Sequence, residues 1–261
     1  MPHGESWFSL LPFHERFVHF AAMFGKPFNE DGLTWYAHEH PGVQHVYGAL
    51  FVLYMIAIVA VITDTSLRNA QSIVPEGKLT IRTFMEVIVG AVHSMMADMM
   101  GNKAARYFLP LIGTCAVFIL FSNAIGLVPG FLPPTDNMNT TLSCGIIIFV
   151  TTHIYGLKEN GFGHIKHLFG PWLGPLGIPL NILVFMIEVI SHIARPLSLA
   201  IRLLANMTAD HMVLTIFVGL VPFIVPVPMY LLGSIVVVVQ TLVFCLLSTV
   251  YISMAIEHAE H

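Results

Sequence analysis

Charged residues are scarce in this sequence. Asp, Glu, Lys and Arg make up 10% of its 261 residues, whereas a soluble domain carries about a quarter. Hydrophobic residues make up 56%, and the mean hydropathy is +0.79. Several uncharged stretches reach the length of about 20 residues that an apolar helix needs to cross a bilayer core. The sequence therefore predicts an all-α polytopic membrane protein and argues against a water-soluble domain.

Cysteine is rare too, and its spacing suits neither a disulfide framework nor a metal site. Cys115, Cys144 and Cys245 lie in apolar runs without a CxxC pair, so we expect them to be core residues. The sequence contains no GxxxxGK[ST] or GxGxxG phosphate loop, which predicts that the chain binds no nucleotide. No nucleic acid partner is expected either. The beginning of the chain lacks a basic region that leads into an apolar run, so no cleavable signal peptide is predicted.

Apolar runs divide the chain into a polar N-terminal segment, residues 1–40, and a single membrane domain, residues 41–261. We expect five membrane-embedded helices in this domain. They cover residues 44–63, 107–132, 139–157, 180–220 and 229–256.

Residues 78–100 differ from these spans because charge interrupts their apolar pattern. Lys78, Arg82 and Glu86 follow one another at intervals of four residues, which places them on one face of a helix. This pattern is typical of an amphipathic helix that lies in the membrane interface. An exposed amphipathic helix packed on the other spans would give nearly the same pattern.

Basic residues predict the orientation of the spans. The turns near residues 133 and 224 contain no Lys or Arg, whereas residues 64–106 and the loop after the third crossing contain seven, namely Arg68, Lys78, Arg82, Lys103, Arg106, Lys158 and Lys166. Short basic loops remain in the cytoplasm. The N-terminus is therefore predicted outside the cell, in the periplasm, and the C-terminus inside.

The long helix predicted over residues 180–220 carries a polar stripe. Five of its residues fall within about 40° of Arg202 on a helical wheel, and these are Glu188, Ser191, Arg195, Ser198 and Asn206. Asp210 lies to one side of the stripe and His211 on the opposite side of the helix. Polar groups in a membrane helix most often line an ion path or pair with a partner.

Arg202 is the residue that most needs an explanation. A charge inside a membrane costs between about 2.5 and 17 kcal/mol, depending on the method of measurement. Glu188 and Arg195, seven residues apart, can neutralise each other. Arg202 has no such partner in its own helix apart from Asp210, two turns away. Its counter-charge is therefore predicted on another subunit, as a buried carboxylate.

Several motifs resemble those of subunit a of F-type ATP synthases over nearly the whole chain. They are PLSLAIRLLANM (196–207) with Glu188 before it, VVVVQTLVFCLLSTVYISMA (236–255), GNK (101–103), Pro110, SNAIGLVP (122–129) and DNMNTTLS (136–143). The combination of the arginine motif with a glutamine in the last helix is specific to that family.

The resemblance implies a proton-translocating stator subunit that is not catalytic on its own. Arg202 would face a rotating ring of proteolipid c subunits, each carrying a mid-membrane carboxylate, with the last two helices tilted along the ring. The resemblance also implies peripheral-stalk b subunits, the rest of the synthase and membrane lipid as partners. It implies a bacterial inner (plasma) membrane location and neither a cofactor nor a metal.

The resemblance further implies two offset aqueous half-channels. Asn206, His211 and Gln240 would line the one that opens outside, and Glu188 and Ser191 the one that opens to the cytoplasm.

Two departures from the family pattern leave alternatives open. Gly233 stands seven residues before Gln240, where a partner of the outer-channel acid often lies. Either Asp210 takes the acid role, or His211 relays protons alone, since an unperturbed pKa of about 6.5 suits that task. His192 is an additional titratable group beside Glu188, and it either joins the cytoplasmic path or is simply packed.

Three rival interpretations are weaker. A membrane cytochrome needs facing histidines, for which His153 and His192 are the only candidates. A secondary cation/proton antiporter also needs buried charge, but this sequence has neither the inverted repeats nor the broken helices of such proteins. The histidines around His38-Glu39-His40 allow a metal site in the N-terminal segment, although a solvated, pH-responsive segment explains them equally well.

Overall fold

A computed structural model describes residues 44–69, 80–128, 130–160, 178–220 and 226–257. The N-terminal segment, Lys78, Lys166 and the loop at 170–177 lie outside the described residues. The predictions made for them remain predictions.

The described residues form five α-helices and one short 3-10 turn, and no strand. They are α1 (Gln44–Asn69), α2 (Ile81–Ile125), η1 (Pro134–Asp136), α3 (Met138–Asn160), α4 (Ile178–Leu220) and α5 (Pro226–Glu257). All five helices are long and apolar enough to cross a membrane. This confirms the prediction of an all-α, multi-pass membrane protein.

Helix α2 joins two segments that the sequence analysis separates, the amphipathic stretch 78–100 and the crossing 107–132. Thr80 caps its start by accepting a hydrogen bond from the backbone N–H of Thr83. The helix is interrupted at Gly101, whose φ of +77° is accessible mainly to glycine. The segment before Gly101 can therefore take a different direction from the segment after it.

The predicted end of the second crossing at residue 132 is wrong, because α2 ends at Ile125. Gly126 caps the helix, and the chain then turns toward Pro133. A Cβ atom at position 126 would lie 3.0 Å from the Pro133 ring. A larger residue at position 126 would push the Pro133 ring away. The apolar residues after Ile125 therefore belong to the turn and not to the helix.

The core lies where α2 packs against α5 and where α3 packs against α4. One apolar cluster joins α2 to α5 through Phe108, Ile112, Cys245 and Ile252. A second joins four helices and contains Cys115, Ile119, Cys144, Ile148, Leu199, Leu203, Met207 and Phe244. All three cysteines are free and buried, as the sequence predicted.

Helices α3 and α4 pack closely at Gly145. A Cβ atom there would lie 2.8 Å from the backbone carbonyl oxygen of Pro196. Small residues allow membrane helices to pack at such distances. The contact fixes α4 against α3 just before the polar stripe reaches Arg202.

Large apolar side chains cover much of the outer surface. Val61, Leu231 and Ile190 are between 62% and 67% exposed. A surface of this kind suits lipid or partner helices.

Candidate functional site

The part of the α4 polar stripe around Arg202 lies at the surface of the chain. Arg202, Ser198 and Asn206 are exposed, whereas Leu199 and Leu203 on the neighbouring face of the helix are 2% and 0% exposed. The period of α4 explains this division, since leucines repeat at the spacing of one helical face. Within the described residues no carboxylate forms an ion pair with Arg202.

Asn206 and Gln240 meet across the contact between α4 and α5. The amide Nδ2 of Asn206 donates a hydrogen bond to Oε1 of Gln240 over 2.6 Å. Gln240 is 4% exposed and Thr241 beside it 5%. A buried amide needs such a partner. Two residues predicted for the same half-channel therefore lie in direct contact, one turn of α4 from Arg202.

Asp210 occupies the space left by the missing side chain of Gly233. A Cβ atom at position 233 would lie 2.9 Å from Oδ2 of Asp210 and 2.9 Å from Leu127. Asp210 follows Asn206 by four residues, and Gly233 precedes Gln240 by seven. Both pairs therefore repeat on one face of their helices. The Asp210 carboxylate thus extends the line of polar groups along the α4–α5 contact.

His211 lies on the other side of Asp210, near the short turn η1. Thr208, one turn before it, donates a hydrogen bond from Oγ1 to Oδ1 of Asp136. Burial raises the pKa of Asp136 above its usual 3.8, while the Thr208 hydrogen bond and the charge of His211 act in the opposite direction. The two predicted candidates therefore have different neighbours: Asp210 lies against Gly233 of α5, and His211 lies on the side of α4 near Asp136.

Sequence reasoning missed Asp136. The residue belongs to the matched stretch DNMNTTLS, but the neighbouring Asn and Pro made it look like an ordinary turn residue. Its partner Thr208 is 72 positions away, so local spacing carries no signal of the contact. The signal present in the sequence is a single acidic residue next to a predicted membrane helix, which often indicates a functional residue.

A second group of polar side chains lies near the other end of the bundle. Nδ1 of His192 is 3.4 Å from Oε1 of Glu188 and 2.9 Å from the Glu188 carbonyl oxygen. The His192 ring also contacts the His153 ring edge to face, with centroids 5.3 Å apart. This contact leaves no space for a haem plane between the two rings. His192 therefore contacts both Glu188 and His153.

Arg195 connects this group of polar side chains to α5. Its guanidinium lies over the Tyr251 ring, 5.6 Å from the centroid. A small cavity is lined by Thr152, His153, Arg195 and Tyr251. Arg195 is thus held by an aromatic face and not by Glu188, so the predicted neutralisation of Glu188 by Arg195 does not occur as an ion pair in the described residues. Ser191 is half-buried on the same turns of α4.

One further local ion pair, Arg82 with Glu86, lies in the first turns of α2. Arg82, 6% exposed, donates from Nε to Oε1 of Glu86 over 2.8 Å, which confirms that these two residues share a face. Among the described residues no group of three or more His, Cys, Asp or Glu side chains is placed to hold a metal ion.

Comparison with known proteins identifies relatives over most of the chain. The family model described as ATP synthase A chain matches residues 49–253. ATP synthase subunit a from Sorangium cellulosum is 44% identical over 236 residues, which cover 88% of this chain and 90% of the relative. The same subunit from Citrifermentans bemidjiense is 46% identical over 224 residues, 84% of this chain and 93% of the relative. That of Geotalea uraniireducens is 47% identical over 214 residues, 80% and 89% of the two chains.

Proposed function

Because this chain belongs to the ATP synthase A chain family, and so is a proton-translocating membrane-sector subunit, we propose that Arg202 and the polar groups on either side of it couple proton flow to rotation of a proteolipid ring. The family assignment does not favour the antiporter alternative. The chain contributes no catalytic site of its own, and ATP is made elsewhere in the complex.

The observation that carries this proposal is the position of Arg202 on α4. The side chain is exposed beside the face that buries Leu199 and Leu203, and it has no ion-pair partner among the described residues. An arginine in a membrane is retained where a partner compensates its charge. The compensating group is therefore a carboxylate that approaches from outside the chain, on the ring.

The chemistry follows from how surroundings change a carboxyl group. Facing lipid, a ring carboxyl stays protonated because desolvation disfavours its anion, and beside a guanidinium the anion is favoured. Each ring carboxyl therefore releases its proton as it approaches Arg202 and takes up another after passing it. Arginine suits the task because it stays charged at any physiological pH.

The path from the outside follows the contact between α4 and α5. Asn206 bonded to Gln240, followed by Asp210 against Gly233, gives polar groups at successive turns of α4 up to Arg202. Asp210 faces α5, and His211 faces the turn η1, so each supplies a titratable group on a different side of the path. In this proposal Asp210 and His211 both carry protons, one after the other, along the outer half-channel.

The path to the cytoplasm begins with Ser191, Glu188 and His192. The 3.4 Å separation of His192 from the Glu188 carboxylate supports a role for both in proton release. Between this group and Asn206, the inner side of α4 presents Leu199 and Leu203, both buried in the four-helix apolar cluster. Protons cannot cross that cluster directly, and the Arg202 charge repels them on the outer face. Flow therefore requires the ring to turn.

The driving force is the membrane potential, worth about 2.3 kcal/mol per charge per 100 mV. Several protons are consequently needed for each ATP.

We further propose a bacterial plasma membrane location, with the N-terminus outside, because Arg68 and Lys158 stand in the last turns of α1 and α3. The segment before Gly101 would lie in the interface, and b subunits of the peripheral stalk would hold the chain against the ring.

Cross-linking from the arginine face tests this proposal. Ile201 is 44% exposed beside Arg202, whereas Ala200 is fully buried. In the assembled complex, Ile201→Cys labelled with a photoreactive thiol reagent should cross-link to the proteolipid subunit. Ala200→Cys, which points into the core, serves as the matched control and should not. Cross-linking of Ile201→Cys to lipid alone would contradict the proposal.

A further inference from the structure

Asp136 stands at the junction of four helices. It is the last residue of η1, and η1 packs against α1, α2, α3 and α4. Thr135 beside it is fully buried and donates a hydrogen bond to Oδ1 of Asn123 over 2.7 Å. Gly48 of α1 comes close enough that a Cβ atom there would lie 3.1 Å from the Pro134 ring. The turn is therefore rigidly held, and the Asp136 carboxyl is directed at α4.

The Asp136 carboxyl has one oxygen engaged and one available. Thr208 donates its hydroxyl proton to Oδ1, so Oδ2 is the atom that can carry an acid proton. Thr208 and His211 are three residues apart on α4 and share a face. The imidazole of His211 consequently lies on the side of α4 that Asp136 contacts, and its charge acts on the carboxyl.

Few other charged groups act on this carboxyl. Asp210 precedes His211 on α4, and its own carboxylate lies against Gly233 of α5. His45 and Tyr47 stand in the first turn of α1. The last turns of α2 and the first turns of α3, which are the ends nearest η1, carry no Asp, Glu, Lys, Arg or His. His211 is thus the titratable group best placed to exchange a proton with Asp136.

We propose that Asp136 is a further proton-transferring residue of the outer half-channel, which collects protons from the outer aqueous phase and delivers them to His211. This inference rests on the proposed function. In the transfer, which runs through intervening water, the O–H bond at Oδ2 breaks and an N–H bond forms on the neutral imidazole, leaving a carboxylate and an imidazolium. The Asp136 carboxylate then takes up a proton from the outer aqueous phase, and the imidazolium passes its proton through water to the Asp210 carboxylate.

The surroundings of Asp136 suit both its uptake and its release of a proton. Burial raises the pKa of the Asp136 carboxyl above its usual 3.8, which favours uptake of a proton from the outer phase. A nearby imidazolium favours the anion, so the proton moves on only when His211 is neutral and ready to accept it. Asp210 then lies one turn from the Asn206–Gln240 pair, which leads to Arg202.

The test uses the complete ATP synthase reconstituted in liposomes, with the outer pH varied independently of the inner pH. Asp136→Asn keeps an acceptor for Thr208 but carries no proton. A positioned proton-transferring group contributes at least about a hundredfold, and water replaces part of that here, so we expect a fall in proton flux of about tenfold. Asp136→Glu should retain most of the flux. Asp64→Asn, an exposed acid paired with Arg68, is the matched control and should leave the flux unchanged.

Two outcomes overturn the inference. One is Asp136→Asn with the flux and outer-pH profile of the unmodified complex. The other is equal loss in Asp136→Asn and Asp136→Glu, which would indicate that the residue only holds the turn in place. Arg202→Ala in the same preparation separates this result from the proposed function. If Arg202→Ala abolishes coupling while Asp136→Asn changes nothing, the inference about Asp136 alone fails.

Discussion

Asn206 and Gln240 form a 2.6 Å hydrogen bond that joins α4 to α5 one turn from Arg202. The two residues are 34 positions apart, and Gln240 is almost fully buried. The bond holds α4 and α5 side by side at this level. It also supplies the last polar groups before the arginine.

A double-mutant cycle on this pair should show coupling. Asn206→Leu and Gln240→Leu each leave an unpaired amide in an apolar contact, and the double variant leaves none. Hydrogen bonds between membrane helices average about 0.6 kcal/mol and reach about 1.7 kcal/mol, so we expect a coupling free energy in that range. Unfolding of the detergent-solubilised subunit in denaturant measures it. Strict additivity of the two single changes would mean that the bond contributes nothing.

Gly233→Ala should disturb Asp210. The added Cβ would lie 2.9 Å from the carboxylate and from Leu127, and overpacking of this kind costs about 1–3 kcal/mol. We expect lower stability together with slower proton flux. Gly90→Ala is the control, because a Cβ there meets nothing within 4 Å and alanine stabilises a helix by about 0.5–1 kcal/mol relative to glycine. Equal effects of the two substitutions would contradict the proposed contact.

The sequence predicts those features of the fold that depend on neighbouring residues better than those that depend on contacts between distant parts of the chain. Apolar runs locate all five spans, because length and hydrophobicity are local properties. The sharp break at Gly101, with no longer loop between the two segments of α2, is not foreseen, because a flexible loop would show the same sequence pattern. The turn after Ile125 is misread as helix because its residues are equally apolar.

The candidate site divides in the same way. The helical wheel puts Arg202 and Asn206 on one stripe, and the resemblance adds Gln240, a contact that the structure contains. Asp136 is not predicted from the sequence, because its place beside α4 depends on the contact with Thr208, which lies in a distant part of the chain. The space at Gly233 that accepts Asp210 likewise exists only after α4 and α5 have packed.

Asp136 should make stability depend on pH. Burial raises its pKa above 3.8 in the folded protein, so the folded state binds this proton more tightly than the unfolded state does. The stability that this carboxyl contributes is then fully present below pH 3.8 and is lost as the pH rises through the raised value. The stability of the unmodified protein relative to Asp136→Asn should decline across that window.

Thermal unfolding of the two proteins at a series of pH values measures this decline. Thr208→Val provides the control, because it removes the hydrogen bond that opposes the shift and should move the decline to higher pH. Parallel curves for the unmodified protein and Asp136→Asn would exclude the effect.

Glu188 and His192 should act together on the cytoplasmic side. His192 lies 3.4 Å from the carboxylate, so removing either group disrupts the same unit, and effects within one unit are not additive. We expect Glu188→Gln to slow proton flux less than Arg202→Ala does, because cytoplasmic water partly replaces the carboxylate. The double variant Glu188→Gln with His192→Ala should be little slower than the slower single variant. Ile190→Ala, on the exposed apolar face, is the control, and fully multiplicative losses would show that the two groups act separately.

ATP-driven proton pumping by the Arg202→Ala variant tests the central claim most directly. Arg68→Ala is the matched control, because Arg68 is exposed and paired with Asp64. In inverted vesicles that contain the fully assembled complex, the account predicts that Arg202→Ala abolishes pumping while Arg68→Ala pumps normally. Coupled pumping retained by assembled Arg202→Ala complexes would contradict it.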